Sequence, residues 1–251
     1  MVRIIMHGCN GKMGKIITSL AAQDPDTQIV AGVDAFSQAS DSYPVYAALA
    51  DVKEQADVVI DFSAAVAVDG VLDYCEAKHL PLVLCTTGLS EEQIARAHAV
   101  SSKTAVLKAA NMSLGINVLQ KALTQIAPVL AEAGFDIEIV EKHHNQKKDA
   151  PSGTALALAD TINEAMDGAY SYTYDRSQKL EPRGKKEIGI SAVRGGTIPG
   201  DHDVIFAGED EVITLSHRSY SRAVFGKGAL TAAKYLAGKD SGFYDMSDVI
   251  G

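Results

Sequence analysis

Val2-Arg3-Ile4-Ile5-Met6-His7-Gly8-Cys9-Asn10-Gly11-Lys12-Met13-Gly14 opens the chain, and the reading of the fold starts there. Val2–Met6 is a short β-branched run that reads as a strand, and Lys12–Ala22 carries apolar residues at helical spacing. The three glycines join them at G-x-x-G-x-x-G spacing. They permit a tight turn and let the backbone approach a pyrophosphate, while the start of the helix offers free N–H groups and positive partial charge. The spacing differs from the commoner G-x-G-x-x-G, so the pattern alone is weak, and an ordinary βαβ unit with a glycine-rich turn would also produce it. Asp34 adds weight. It ends the next strand pattern, Gln28–Asp34, twenty residues after Gly14, where a carboxylate can accept from the ribose hydroxyls of a dinucleotide. A carboxylate there repels a 2′-phosphate, and no Arg or Lys lies in Ala35–Ser40 to offset it, which favours NADH. Lys12 is within reach of a phosphate and keeps NADPH open.

Outward from this unit, strand and helix patterns alternate. Asp57–Phe62, Pro81–Cys85 and Ala105–Leu107 read as strands, and Val66–Ala77 and Ser90–Ser101 as helices. Alternation of this kind predicts a Rossmann-like, doubly wound α/β domain with a parallel sheet covered on both faces, and the unbroken apolar runs VVI and LVL agree. Near Ser113 the character changes. A long helix pattern over Leu114–Glu132 leads to a strand at Phe135–Glu141 and a helix at Thr154–Met166. Strand patterns follow at Ile188–Val193, His202–Ala207 and Glu211–Ser216. Grouped strands predict an antiparallel or mixed sheet in a smaller α+β domain. A last helix, Gly226–Leu236, is expected to return to the first domain ahead of a short tail. The expected division is 1–113 with 223–251 as dinucleotide-binding domain, and 114–222 as substrate-binding and oligomerisation domain.

The 251 residues are 47% hydrophobic and 22% charged, an ordinary globular composition that can bury a core. A formal charge of −9 argues against nucleic acid as partner, because phosphate binding needs a basic surface. An anionic ligand must then find a local positive site. No secretory leader pattern and no apolar run of membrane-spanning length is visible, which excludes a membrane partner and points to the cytoplasm. Cys9, Cys75 and Cys85 are odd in number and irregular in spacing, so they predict neither a disulfide framework nor a zinc site.

The local positive site lies in Glu141-Lys142-His143-His144-Asn145-Gln146-Lys147-Lys148-Asp149-Ala150-Pro151-Ser152-Gly153-Thr154. Five residues that are or can be cationic fall within seven positions, Lys142 to Lys148, on an acidic chain. The adjacent histidines can move protons near neutral pH. Ser152-Gly153-Thr154 opens a helix, with Ser152 or Thr154 as N-cap, and exposed N–H groups there bind carboxylates. Taken singly, the charge run reads as a solvated loop, and a histidine pair is as often structural as functional. Two anion-binding devices side by side suggest a doubly charged ligand. A metal is not expected, because adjacent histidines on a strand point apart and no third ligand stands at useful spacing.

At this point the chain resembles the dihydrodipicolinate reductases. The Gly8–Gly14 loop is similar to that family's G-x-x-G-[RK]-M-G, and Asp61-Phe62-Ser63 to its D-F-[ST]. Cys85-Thr86-Thr87-Gly88 resembles G-T-T-G with Cys85 in place of the usual glycine, and Ala109-Ala110-Asn111-Met112-Ser113 resembles A-[AP]-N-[FM]-S. Glu141 to Thr154 matches the signature E-x-H-H-x-x-K-x-D-x-P-S-G-T, while Arg194-Gly195-Gly196 and Gly200-Asp201-His202 match R-x-G and G-x-H. The similarity is collinear over essentially the whole chain.

The resemblance implies NAD(P)H-dependent reduction of a cyclic dicarboxylate imine, formed from 4-hydroxy-tetrahydrodipicolinate, to tetrahydrodipicolinate in diaminopimelate and lysine biosynthesis. His143 would take the acid/base position and Lys147 the proton-donor position; the residues alone do not say which delivers the proton. His144, Ser152, Gly153 and Thr154 would hold the substrate. Gly8, Cys9, Asn10, Gly11, Lys12, Met13, Asp34, Cys85, Thr86, Thr87, Ala109, Ala110, Asn111 and Met112 would line the cofactor. Ala35 stands where some members carry an arginine, in line with NADH. The family reads as a homotetramer built through its second domain. Two rivals remain: another imino- or amino-acid dehydrogenase on this fold, and a non-catalytic NAD(H)-sensing protein, which would leave the His-His-Lys cluster unexplained.

Overall fold

The computed structural model describes residues 1–36, 40, 42–174, 176–177 and 179–251. Half of the stretch Ala35–Ser40, which carries no basic residue, lies outside them, at 37–39. In chain order the elements are β1 (Val2–His7), α1 (Lys12–Ala21), β2 (Thr27–Val33), β3 (Val45–Tyr46), β4 (Val58–Asp61), α2 (Val68–Lys78), β5 (Leu82–Leu84), α3 (Glu91–Val100), β6 (Ala105–Lys108), α4 (Leu114–Glu132), β7 (Asp136–His143), α5 (Gly153–Glu164), β8 (Ser171–Thr173), β9 (Glu187–Arg194), β10 (Gly200–Ala207), β11 (Val212–Ser219), α6 (Ala223–Leu236), β12 (Gly242–Tyr244) and α7 (Met246–Ile250). They fall into two compact units, Met1–Leu114 with Arg222–Gly251, and Gly115–Ser221.

The first unit is a parallel sheet in the order β12-β6-β5-β4-β1-β2-β3. Its strands are apolar on both sides because both sides are covered. Ile4, Met6, Val58 and Ile60 pack with Ile17 of α1 and Ala229, Ala233 and Leu236 of α6. Their neighbours Ile5 and Val59 pack the other way, with Val71 and Leu72 of α2 and Ala97 of α3. The order reverses at β1, whose two neighbours are β2 and β4. Ligands of open α/β sheets bind at the carboxyl ends of the strands beside such a reversal.

The tail expected after α6 is structured. Gly242–Tyr244 pairs in parallel with Ala105–Leu107 as the edge strand of the sheet, and Asp245 caps α7 in a reciprocal box with Asp248.

The second unit has a five-stranded mixed sheet, β11-β10-β7-β9-β8, with β7 antiparallel to β10 and parallel to β9. One face changes character along the strands. Ile137, Ile139, Ile188, Ile190, Val204 and Phe206 pack against Leu123 of α4 and Leu158 and Ile162 of α5. Further along the same face come Glu141, His143, Arg194 and His202, paired in register as Glu141 with His202 and His143 with Arg194. The alternation that buries the core therefore also sets the polar residues in line with it.

Candidate active site

In the first unit the turn after β1 is built for close approach. Gly8 has φ +80°, and a Cβ there would lie 2.5 Å from the carbonyl oxygen of Phe62, so only glycine fits. Gly8 N–H and Cys9 N–H donate to Val33 O, Gly11 N–H to Gly8 O, and Asn10 N–H to Asp34 Oδ2 at 3.1 Å. The amides of the glycine turn are thus occupied by the turn and by the end of β2. The first α-helical bond of α1 is Lys15 N–H to Gly11 O, and no side chain caps the helix. Among the described residues the amides of Lys12, Met13 and Gly14 have no acceptor, which leaves three donors at the helix start for a pyrophosphate. Asp34, just past β2, also accepts from Phe36 N–H at 3.0 Å, and Asn10 Nδ2 donates to Phe36 O. The two amides leave other acceptor directions of the carboxylate for ribose hydroxyls. These features fit a dinucleotide.

The neighbouring strand ends share a buried carboxylate. Asp61, closing β4, is fully buried and accepts from Thr86 Oγ1 at 2.6 Å and from Ser63 N–H, and its Oδ1 meets His7 Nδ1 at 2.6 Å. The Thr86 hydroxyl is therefore turned inward, and any ligand contact from this residue is left to its backbone. Thr87 is exposed and Cys85 half-buried, and burial pushes the Cys85 thiol well up, so it behaves as a packing group. Beyond β6, Ala109, Ala110 and Asn111 are at least partly open, whereas Met112 is buried in the core between sheet and α6. The cofactor residues expected from the sequence thus gather at the carboxyl ends of β1, β2, β5 and β6, with the Met112 side chain facing inward.

In the second unit His143 is the last residue of β7, and its Nδ1 lies 2.6 Å from Glu141 Oε2. Glu141 is fully buried. Arg194 forks onto it, Nη1 to Oε2 and Nη2 to Oε1, each at 2.7 Å, and Ser152 N–H donates to Oε1 at 2.9 Å. Burial alone would raise the Glu141 carboxyl, but the Arg194 fork, His143 and the Ser152 amide together hold it below the usual glutamate range. Ser152 is the N-cap of α5: its Oγ accepts from Ala155 N–H and lies 3.1 Å from His202 Nε2. The His202 ring stands edge-on to His143 with centroids 5.2 Å apart, and burial, helped by His143, pushes its imidazole down to about 4. His144 is half-buried beside this cluster in sequence, and Lys147 Nζ pairs with Asp149 Oδ2 at 3.0 Å. Gly153, the first helical residue, is exposed, and its amide has no acceptor among the described residues; Thr154 is half-buried.

Glu141, Arg194 and His202 were not among the expected site residues. Glu141 stands two positions before His143, hence on the same strand face, and that spacing was the available signal. Among the described residues no group of three His, Cys, Asp or Glu side chains is placed to hold a metal, and no helix is long and apolar enough to cross a membrane.

A parallel sheet with a glycine turn at its reversal point, an uncapped helix start and an acid after the second strand defines a two-unit oxidoreductase of the dinucleotide-dependent class. Residues 2–112 match the family described as dihydrodipicolinate reductase, N-terminus, and residues 115–250 match dihydrodipicolinate reductase, C-terminus. The chain belongs to the dihydrodipicolinate reductase family, and its activity is reduction of the dihydrodipicolinate-type imine. It is 54% identical over 250 residues to a 4-hydroxy-tetrahydrodipicolinate reductase of Caldanaerobacter subterraneus subsp. tengcongensis, covering 100% of this chain and 98% of that one. The corresponding protein of Clostridium tetani is 50% identical over 246 residues, covering 98% and 96%. A dipicolinate-bound dihydrodipicolinate reductase from Paenisporosarcina sp. TG-14 superposes with a TM-score of 0.81 at 26% identity, covering 99% of both chains.

Proposed function

We propose that the chain performs this reduction with NADH, in diaminopimelate and lysine biosynthesis, using a proton-transfer group and a carboxylate cradle that are both built in the second unit. The observation that carries the reading is that His143 Nδ1 and the Ser152 amide at the start of α5 meet on one buried carboxylate, Glu141. A group able to exchange protons and a helix start able to hold an anion are thereby neighbours. The relative from Paenisporosarcina, whose structure holds dipicolinate, is consistent with a cyclic dicarboxylate as ligand.

A nicotinamide supplies hydride when bound, and the amides of Lys12, Met13 and Gly14 with the Asp34 carboxylate would hold its dinucleotide. Hydride addition builds negative charge on the conjugated imine. The Lys147 ammonium and the His143 imidazole answer it, one stabilising the charge and the other protonating the ring. The Gly153 amide, with Ser152, Thr154 and His144, would hold the carboxylates. NADH over NADPH follows from Asp34, which offers a 2′-phosphate only negative charge. The cytoplasm suits a chain whose three cysteines are all unpaired.

Assembly into a homotetramer through the second unit fits the other face of its sheet. Val140, Ile205 and Val193 lie on that face, opposite the one packed by α4 and α5, with Val193 45% exposed.

The test is loss of NADH absorbance on adding freshly generated imine to the protein and to its His143→Ala and Lys147→Ala variants. Turnover should fall about 100-fold or more in each, with NADH affinity by calorimetry within about twofold of the parent. Unchanged turnover in both variants would overturn the catalytic assignment.

A further inference from the structure

We propose that Glu141 is a positioning residue for the reduction, one that fixes the His143 imidazole as the Nδ1–H tautomer and so makes Nε2 the atom that exchanges the proton. The inference rests on the role given to His143 above and adds how that role is set.

An ionised carboxylate only accepts hydrogen bonds. With Arg194 forked across both oxygens and the Ser152 amide on Oε1, the remaining partner at Oε2 is His143 Nδ1 at 2.6 Å, which must therefore be the donor. In a neutral imidazole the other nitrogen, Nε2, is then the acceptor. The carboxylate is itself held in place. It is fully buried on the same strand face as His143, and Arg194 sits opposite His143 in the parallel register of β7 and β9. Arg194 Nη2 also donates to Asp149 O at 2.5 Å, and Asp149 pairs with Lys147. Through Ser152 the same carboxylate fixes the first turn of α5, whose N-cap oxygen also contacts His202. One buried anion thus orients the imidazole, the lysine loop and the anion-binding helix start together. A purely structural ion pair would stabilise the unit without dictating which ring nitrogen carries the proton.

The experiment is long-range proton–nitrogen NMR of the full chain, labelled at histidine and observed where His143 is neutral, with steady-state kinetics alongside. Nitrogen shifts of the Nδ1–H form are expected in the parent. Glu141→Gln presents an amide to Nδ1 and should move the ring toward the Nε2–H form. Turnover should fall about 10–100-fold while NADH affinity stays within twofold, and Glu141→Asp should restore part of both signals. An Nε2–H tautomer in the parent overturns the proposal without any variant, so a folding failure of Glu141→Gln leaves it testable. Full turnover in Glu141→Gln beside a collapsed His143→Ala also overturns it and leaves the role of His143 standing. Full turnover in His143→Ala removes that role and this inference together.

Discussion

The Asp34 carboxylate accepts from the amides of Asn10 and Phe36 and retains further acceptor directions for a ligand. On the proposed reading, its removal would withdraw acceptors for ribose hydroxyls and the negative charge that disfavours a 2′-phosphate. Asp34→Ala should raise the NADH dissociation constant about tenfold and narrow the preference over NADPH, as read by titration with both dinucleotides. An unmoved preference would show that selectivity lies elsewhere. His202 gives a prediction in pH. Its folded imidazole stays neutral down to about 4, against the ordinary value of 6.5, because it is buried. The unfolded chain therefore takes up this proton first, and stability rises with pH from about 4 to 6.5 and is full above it. The effect is on the order of 3 kcal/mol across that window. His202→Gln should flatten the slope of urea-unfolding stability between those pH values; parallel slopes would contradict the buried, neutral ring. At this scale the sequence offered His143, Lys147 and Asp34 as candidates, because their chemistry is written in their residue type. It did not single out Glu141 and Arg194, whose side chains, fifty-three positions apart, meet only because β7 pairs with β9.

Among elements, α6 shows how a helix far along the chain shapes a loop of the first unit. Gly228 faces the turn after β6 so closely that a Cβ would overlap the Met112 carbonyl oxygen, a backbone atom that cannot rotate aside. Gly228→Ala should therefore lift α6 off Ala109–Met112. An overpacked contact of this kind costs about 1–3 kcal/mol. The expected result is a lower unfolding midpoint together with weaker NADH binding; an unchanged midpoint would mean the helix shifts without penalty. The long periodic helices and the apolar strands were legible because each carries its own pattern. Leu114–Glu132 matches its expected span, and Ser152 resolves the choice of N-cap for α5. The two-residue β3 and the three-residue β8 and β12 were not legible: unlike the equally short β5, whose Leu82–Leu84 is an unbroken aliphatic run, they carry no such run and exist only through their neighbours. The mixed direction of the second sheet likewise depends on which strand β7 pairs with, β9 on one side and β10 on the other.

Over the whole molecule, the chain is acidic, and the groups proposed to bind anions are local, at two helix starts and one histidine-rich strand end, so net charge argues against nucleic acid but does not identify a small anionic ligand. The same division of faces bears on assembly. In the second unit one sheet face is filled by core and site, and the other presents Val140, Ile205 and Val193 beside the Lys142–Asp203 pair. A charge placed among these apolar side chains would be buried without a partner in an assembly formed on this face, whereas on a solvated face it would be tolerated. Ile205 is half-buried and belongs to that face by its register with Glu138, so Ile205→Arg perturbs the surface more than the core. Light scattering on the parent chain should give the mass of four copies, and Ile205→Arg should shift it to two or one while circular dichroism stays the same. A parent mass of a single copy removes the tetramer from the proposal. A variant that remains tetrameric moves the interface to another surface of the same unit.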